Sequence, residues 1–536
     1  MKVFATAEKI FATAEKVSAT PEKVSAVAEK VSATAEKISA LDKRVSSGEK
    51  RVFSHAKVIF AIRRESRLPR TGGRVRSNSK FVAIKSVHIT NYYHKDSGGI
   101  STAYNKLLDA AERHRRFVRL IVPGERSMVE DVNEYARIYY IKANFSPFFD
   151  KRYRLMLPWK TYIFDQSPIK VILRQEEPDI IEIGEKYTLS LMAGLIRKGI
   201  MKVSKKRPLL VQISCERMDD NVSSFISDGP LWKWFCKRLM GNYNLPMFDF
   251  HLANSKYTAQ ELTDSVSPEK NPNRSERFMN FCWRFLRAPQ VALTDRIFVN
   301  QCGVDNETFL VGRKDPGLRQ KLISEHGFPE TAKLLLYAGR ISPEKNFQLL
   351  PKVMEELKNG GASDYRLLVA GAGPSEGALA AESEACAPGL VKLLGQINDK
   401  GELADLFANC DAFIHPNPRE PFGITPLEAM ASGLPVVAPN SGGVLSYANE
   451  ENAWLAEPDP ASFARAVREV FECADSRNER IRKGLDTAAK YSWQASTDAL
   501  FAVYDRMYAE FTSQRDLYDY NKVRERTDFV SRFTTC

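Results

Sequence analysis

Two glutamates eight residues apart, Glu420 and Glu428, are the side chains whose type and spacing first suggest chemistry. They lie in Arg419-Glu420-Pro421-Phe422-Gly423-Ile424-Thr425-Pro426-Leu427-Glu428-Ala429-Met430-Ala431-Ser432-Gly433-Leu434-Pro435-Val436-Val437-Ala438, which reads as a loop, a short helix and a buried strand. Thr425 suits an N-cap, Pro426 suits the first helical position, and Glu428 falls three residues after the cap. Gly433 ends the helix, and the apolar run from Leu434 to Ala438 fits a strand of a parallel sheet. Such a helix aims free N–H groups at whatever lies beside Glu420 and Phe422, an arrangement that favours oxyanions and sugar hydroxyls. On the residues alone, a capping box at Glu428 and an exposed loop charge at Glu420 fit equally well.

Cations and glycines supply the next candidates. Leu334 to Arg340 reads as a strand ending in a basic residue, and Ile341-Ser342-Pro343-Glu344-Lys345-Asn346 starts a helix expected to run to about Lys358. Arg340 and Lys345 flank that turn, where two fixed cations can clamp a diphosphate. Gly98 and Gly99 stand between a strand (Val82 to Ile89) and a helix (Ala103 to His114), where small residues let backbone N–H groups approach a ligand. Asn440-Ser441-Gly442-Gly443 is a second such turn. Gly371-x-Gly373 is a poor dinucleotide fingerprint, because Pro374 intrudes and Glu376 takes the third glycine's place.

The Glu420-x7-Glu428 pair, with its Pro-Phe-Gly and its Glu-Ala-Met-Ala-Ser-Gly-Leu-Pro-Val-Val, resembles the signature of retaining nucleotide-sugar glycosyltransferases, family 4 (glycosyl transferases group 1) in particular. The likeness runs through most of residues 332–508, and Gly339-Arg340-Ile341-x-x-Glu344-Lys345-Asn346 resembles the family's diphosphate site. It implies the GT-B fold: two Rossmann-like domains facing across a cleft, with the donor mainly on the second and the acceptor on the first. Glu420 would be the catalytic residue, holding hydroxyls of the donor hexose and positioning its anomeric carbon. The remaining donor-binding set implied is Gly98, Gly99, Arg340, Lys345, Gln396, Ile397, Phe422, Gly423, Ile424 and Glu428. In it Glu428 takes the ribose, Gln396 and Ile397 frame the base, backbone N–H groups from Phe422 to Ile424 assist the sugar, and Arg340 and Lys345 neutralise the leaving diphosphate. No metal and no cofactor beyond the nucleotide-sugar donor is implied, and the departing phosphate takes the acceptor's proton. The chain departs from the family after Ser214: relatives often carry a His there, and this chain has Cys215, leaving Glu216 and Asp219 as candidate acceptor contacts.

The expected activity is transfer of a hexosyl group, mannosyl or glucosyl, to a glycolipid or polysaccharide acceptor. A nucleotide-sugar epimerase of the same architecture is the alternative enzyme, and a glycan- or membrane-associated scaffold the alternative without catalysis.

Strands and helices alternating at a spacing of roughly 30 residues support a doubly wound α/β fold independently. The expected order is a tail and basic linker over 1–78, an acceptor domain over 79–305, a donor domain over 306–490, a helix crossing back over 491–512, and a frayed tail over 513–536. Residues 264–293, with Pro268, Pro272 and Pro289, read as an irregular insertion. The stretch around Trp232, Trp234 and Phe235, with Lys233, Lys237 and Arg238, fits an exposed acceptor or membrane face as well as an amphipathic helix docked on a core.

Composition bounds the rest. The chain has 536 residues, 43% of them apolar and 27% charged, enough for two or three domains of an ordinary globular protein. Its eight cysteines form no Cys-x-x-Cys pair, which favours reduced thiols in a cytoplasmic setting over a disulfide framework. Of the net charge of +12, residues 1–80 supply +10, from 18 Lys or Arg against 8 Asp or Glu, so the folded body is nearly neutral. That region repeats a heptad from Lys2 to Lys57 with Val or Ile at 3, 10, 17, 24, 31 and 38. Pro21 breaks the stripe and Ala fills its second position, a poor coiled-coil seam. The arginines at 63, 64, 67, 70, 74 and 76 make a linker able to rest on anionic lipid at the cytoplasmic face of a membrane. Without interleaved aromatics, the same linker gives no basis for specific nucleic-acid binding.

Overall fold

The apolar runs become two separate parallel sheets. A computed structural model describes residues 84–519, apart from 95–97, 146–153, 226, 268–271 and 362–363. The heptad tail, the basic linker and residues 520–536 lie outside the described residues.

The first sheet is built from β1 (Lys85–Ile89), β2 (Phe117–Gly124), β3 (Met128–Asp131) and β4 (Ala136–Lys142), then β7 (Ile180–Ile183), β8 (Leu209–Ser214), β9 (Phe250–Ala253) and β10 (Ile297–Val299). A two-stranded ribbon, β5 (Asn144–Phe145) with β6 (Arg154–Leu155), lies outside it. The sheet order is β10-β9-β8-β7-β1-β2-β4-β3, parallel except for the β3–β4 edge pair. The second sheet holds β11 (Lys333–Ala338), β12 (Tyr365–Ala370), β13 (Val391–Gly395), β14 (Ala412–Ile414), β15 (Val436–Pro439) and β16 (Trp454–Ala456) in the order β13-β12-β11-β14-β15-β16, all parallel. Both faces of each sheet are covered, so central strands such as β11 and β15 are buried almost throughout, as parallel strands require. Two apolar clusters flank each sheet, and a fifth, smaller one lies around Trp283. This is the doubly wound α/β architecture expected from the alternation of strands and helices, repeated in the two sheets that the family resemblance implies.

The chain passes between the sheets twice at one crossing. Val304 bridges Ser492, and the Val304 N–H donates to Tyr491 O at 2.7 Å. Gly303 is needed there because a Cβ would stand 2.5 Å from the Trp493 Cα. The helix Trp493–Ser513 then runs back along the first sheet, with Ser492 as its N-cap and Phe501, Tyr504, Met507 and Phe511 in the core.

Three expectations need correcting. The end of the chain does not fray at 513: a short helix Arg515–Tyr518 follows, Tyr518 is fully buried against Phe250, and Arg207 pairs with Asp519 at 2.6 Å. Residues 264–293 are not an irregular insertion, because Pro272–Phe285 is a helix with proline at its tolerated first position. The helix expected from Ile341 to about Lys358 is interrupted. Pro343–Lys345 forms a 3-10 turn, Asn346 turns left-handed at φ 52°, and the α-helix begins only at Leu349.

Candidate functional site

The loop between β14 and the helix Ile424–Ala431 carries Glu420, and several elements fix its shape. Gly443 N–H donates to Glu420 O at 2.6 Å, and a Cβ on Gly443 would meet Pro421 O at 1.9 Å. The second Gly-Gly turn therefore braces the Glu420 loop by backbone contact. The Tyr447 hydroxyl donates to Gly423 O, and its ring packs edge-on against Phe422 at 5.3 Å. Phe422 is thus a core residue that anchors the loop from below.

Gly423 adopts φ 86° and is itself the N-cap, so the helix begins at Ile424 and no side chain caps it. This corrects the expected cap at Thr425: the left-handed glycine turns the chain into the helix early and places Thr425 and Pro426 inside the first turn. The capping box therefore does not account for Glu428, and the helix N-terminus presents N–H groups without a side-chain partner. Gly433, at φ 68°, ends the helix as expected.

Glu420 sits among polar side chains, two of which, His415 and Asn417, are outside the expected donor set. Lys345 Nζ approaches its two oxygens at 3.0 and 2.7 Å, Asn417 Nδ2 donates at 3.0 Å, and His415 Nε2 lies 3.8 Å away. Burial alone would raise the Glu420 carboxyl, but the Lys345 ammonium, His415 and the hydrogen bonds outweigh it and hold the group down at about 2. Burial also pushes His415 down to about 4, so at neutral pH the imidazole is uncharged and Glu420 is ionised. Asn417 and His415 carried one signal in the sequence, the His-x-Asn spacing immediately after β14.

Glu428 has a different environment. It is half-buried one turn into the same helix, and burial raises its carboxyl to about 7, with Lys400 opposing and Asp305 adding to the rise. Arg340 follows β11 and lies 3.7 Å from Glu344. The glycines of Gly371-x-Gly373 are explained by packing: a Cβ on either would come within 1.9 or 2.1 Å of the carbonyls of Gly339 and Ile341. They let the β11 and β12 loops touch, and so shape the turn that carries Arg340. Gln396 is exposed at the end of edge strand β13, and Ile397 packs on the cluster containing Phe422 and Leu427.

The first sheet meets this loop from the other side. Gly98, at φ 97°, caps the helix Gly99–His114, and a Cβ on Gly99 would touch Ile424 Cδ1 at 3.0 Å. Two helix N-termini, at Gly99 and Ile424, are therefore adjacent where loops of the two sheets meet. The helix Met218–Phe225 packs on the Pro343–Lys345 turn, and Arg419 donates to Ser223 Oγ at 2.6 Å. Asp219 is committed to Arg217, at 2.6 Å, which keeps its carboxyl below the ordinary range although burial opposes this. Glu216 has a buried Oε1 without a hydrogen bond, and its carboxylate adds to burial in raising the Tyr92 hydroxyl well above its ordinary value. Cys215 is a free thiol, and burial raises it well above its ordinary value. In the first sheet, Glu182 accepts from His88 Nδ1 (3.0 Å), Tyr104 (3.2 Å) and Tyr504 of the returning helix. Among the described residues no group of three or more His, Cys, Asp or Glu side chains could hold a metal ion, and no helix is long and apolar enough to cross a membrane.

Comparison with known proteins agrees with this architecture. Residues 319–486 match the family Glycosyl transferases group 1. A GDP-mannose-dependent alpha-(1-6)-phosphatidylinositol dimannoside mannosyltransferase of Mycobacterium tuberculosis is 26% identical over 430 residues, 79% of this chain and 97% of its own length. A D-inositol 3-phosphate glycosyltransferase of Stackebrandtia nassauensis is 31% identical over 225 residues, 39% of this chain and 48% of its own. Among solved structures, sucrose-phosphate synthase of Thermosynechococcus elongatus shares the fold with a TM-score of 0.57 at 18% identity, over 79% of this chain and 99% of its own. Residues 319–486 therefore form a group 1 glycosyltransferase domain, and the fold is that of the GT-B glycosyltransferases. It is a hexosyltransferase.

Proposed function

We propose that this enzyme moves a hexosyl group, mannosyl in the first instance, from a nucleoside-diphosphate sugar to a lipid-linked glycan acceptor, with retention of anomeric configuration. The observation that carries the reading is the Lys345–Glu420 pair beside two converging helix N-termini, which puts a fixed anion and a fixed cation where a sugar diphosphate has opposite needs. Support for the mannosyl and lipid assignments is that the Mycobacterium relative uses GDP-mannose and acts on a phosphatidylinositol dimannoside.

In this reading Glu420, ionised and oriented by Asn417 and Lys345, accepts hydrogen bonds from donor hexose hydroxyls and stabilises positive charge growing at the anomeric carbon. Lys345 and Arg340 meet the diphosphate, together with N–H groups at Gly99 and at Gly423–Ile424. Charge on the leaving group is neutralised by these groups rather than by a divalent ion. Glu428 accepts from the ribose hydroxyls, and Gln396 and Ile397 border the base. The acceptor enters against Glu216, whose unpaired Oε1 suits a hydroxyl donor, whereas Asp219 acts through Arg217. The departing phosphate takes the acceptor's proton, so no strong general base is needed.

The test is product analysis with a panel of radiolabelled nucleotide sugars, with and without chelator, and with lipid-linked and water-soluble acceptors. The expected result is label in a lipid-extractable, α-linked product at undiminished rate in chelator. A free nucleotide sugar with altered configuration would mean an epimerase, and no turnover with any donor would mean a scaffold.

A further inference from the structure

The helix Pro272–Phe285 has apolar residues on two faces. One face is internal: Met279 and Trp283 pack with Cys236, Met240 and Leu262, and Trp283 Nε1 donates to Gly241 O at 2.8 Å. The other face holds Phe278, Phe281 and Phe285, which are 56%, 61% and 58% exposed. Spaced by three and then four residues, they form one row, with neighbouring rings stacked at centroid distances of 6.4 and 6.1 Å. The solvent face of a helix is ordinarily polar, and a contiguous exposed aromatic row marks a surface that meets something apolar.

The charges around the row narrow down what that is. Arg277 and Arg284 are exposed beside the rings and Arg287 follows the helix. Lys198 Nζ stands 4.5 Å from the Phe285 ring centre and donates to Phe285 O at 2.8 Å. Among residues 275–287, Glu276 is the only acid. Phenylalanine interleaved with arginine along one helix face is the pattern of a segment lying in the plane of a bilayer interface, rings below the headgroups and cations among lipid phosphates.

We propose that the Phe278–Phe281–Phe285 row and its flanking Arg277, Arg284, Arg287 and Lys198 dock the enzyme on an anionic lipid surface. The inference stands on the helix itself and holds whether or not the acceptor is a lipid. Charge complementarity favours lipid over a second copy of the chain, because two such faces brought together would oppose arginine to arginine.

The experiment is co-sedimentation of the full chain with vesicles of phosphatidylcholine alone or phosphatidylcholine containing phosphatidylglycerol. Readings at low salt and at about 0.5 M NaCl separate the contributions, since attachment by charge alone is screened at the higher salt. Wild type is expected to bind the anionic vesicles in both. Phe278→Ser/Phe281→Ser/Phe285→Ser should lower partitioning at high salt about tenfold or more, and Arg277→Glu/Arg284→Glu should weaken the preference for anionic lipid. Phe164→Ser, which removes an equally exposed but isolated ring (64%), should change nothing. Unchanged melting temperatures and unchanged turnover on a water-soluble acceptor confirm intact folds. Full high-salt binding by the triple serine variant would overturn the proposal. So would a wild-type dimer that the same variant dissolves without any vesicle binding, which would assign the face to a second copy.

Discussion

The Lys345 ammonium lies 2.7 and 3.0 Å from the two oxygens of Glu420, so the cation proposed to meet the diphosphate is already held by the carboxylate proposed to meet the sugar. The two roles are coupled: whatever draws Lys345 toward phosphate loosens one constraint on Glu420.

That coupling sets the outcome at Glu420. Glu420→Gln keeps the hydrogen bond to Asn417 but releases Lys345. Turnover should fall on the order of 10²-fold, as when one transition-state contact of a few kcal/mol is lost, while nucleoside diphosphate binds as tightly as before or a few-fold tighter. Steady-state kinetics and calorimetry on the same preparation check this, and weaker diphosphate binding with normal turnover would reverse the assignment of the pair.

Lys345→Ala should act on two levels. Diphosphate affinity drops by about 1–3 kcal/mol for a lost charged hydrogen bond, and the protein also loses stability because Glu420 is left ionised without its cation. Arg340→Ala should weaken binding by a similar amount with a smaller change in melting temperature, since Glu344 keeps another partner: Ser342 Oγ donates to it at 2.5 Å. Equal affinity in wild type and both variants would move the diphosphate elsewhere.

Glu428 predicts a pH dependence. Its carboxyl, ordinarily at 4.5, is raised to about 7 by burial, so below neutrality it is protonated in the folded enzyme. Ribose hydroxyls are accepted best by the ionised form, so affinity for intact donor should rise as pH increases through about 7 and level off above it. For stability the sign is opposite. The folded state binds the extra proton, so the Glu428 contribution is complete below 4.5 and is lost as pH rises toward 7. Glu428→Gln should flatten both profiles, and a donor-affinity profile identical to wild type in that variant would free Glu428 of its role.

Backbone bracing gives a fourth outcome. A methyl at Gly443 would stand 1.9 Å from Pro421 O, and neither side of that contact is a flexible side chain. Gly443→Ala should therefore displace the Glu420 loop, cutting turnover at least about tenfold and lowering stability by roughly 1–3 kcal/mol, the usual range for a strained core change. Gly377→Ala, with open space around its Cβ, is the control and should leave both unchanged.

Much of the fold could be read from the chain because parallel strands buried on both faces announce themselves as short apolar runs, as at Leu334–Ala338 and Val436–Ala438. Arg340, Lys345, Glu420 and Glu428 were legible by type and spacing. Their mutual arrangement was not, because Lys345 and Glu420 are 75 residues apart and meet only through the fold. Thr425 has a capping side chain, whereas the deciding fact is the left-handed backbone at Gly423, which composition does not display. The helix at Pro272–Phe285 was hidden because prolines flanking it suggested irregularity and its outward phenylalanines blur the polar face that periodicity relies on.

The crossing at Gly303 and Trp493 has a consequence for how the protein is made. Phe501, Tyr504, Met507, Phe511 and Tyr518 belong to the core of the first sheet, yet they leave the ribosome after every strand of the second. The amino-terminal half thus waits, with part of its apolar face uncovered, for the last stretch of chain, while the second sheet needs only residues already emerged. Synthesis from the amino terminus should finish the later unit first. A chain ending near residue 490 and clear of the ribosome would carry a closed second sheet beside an open first one.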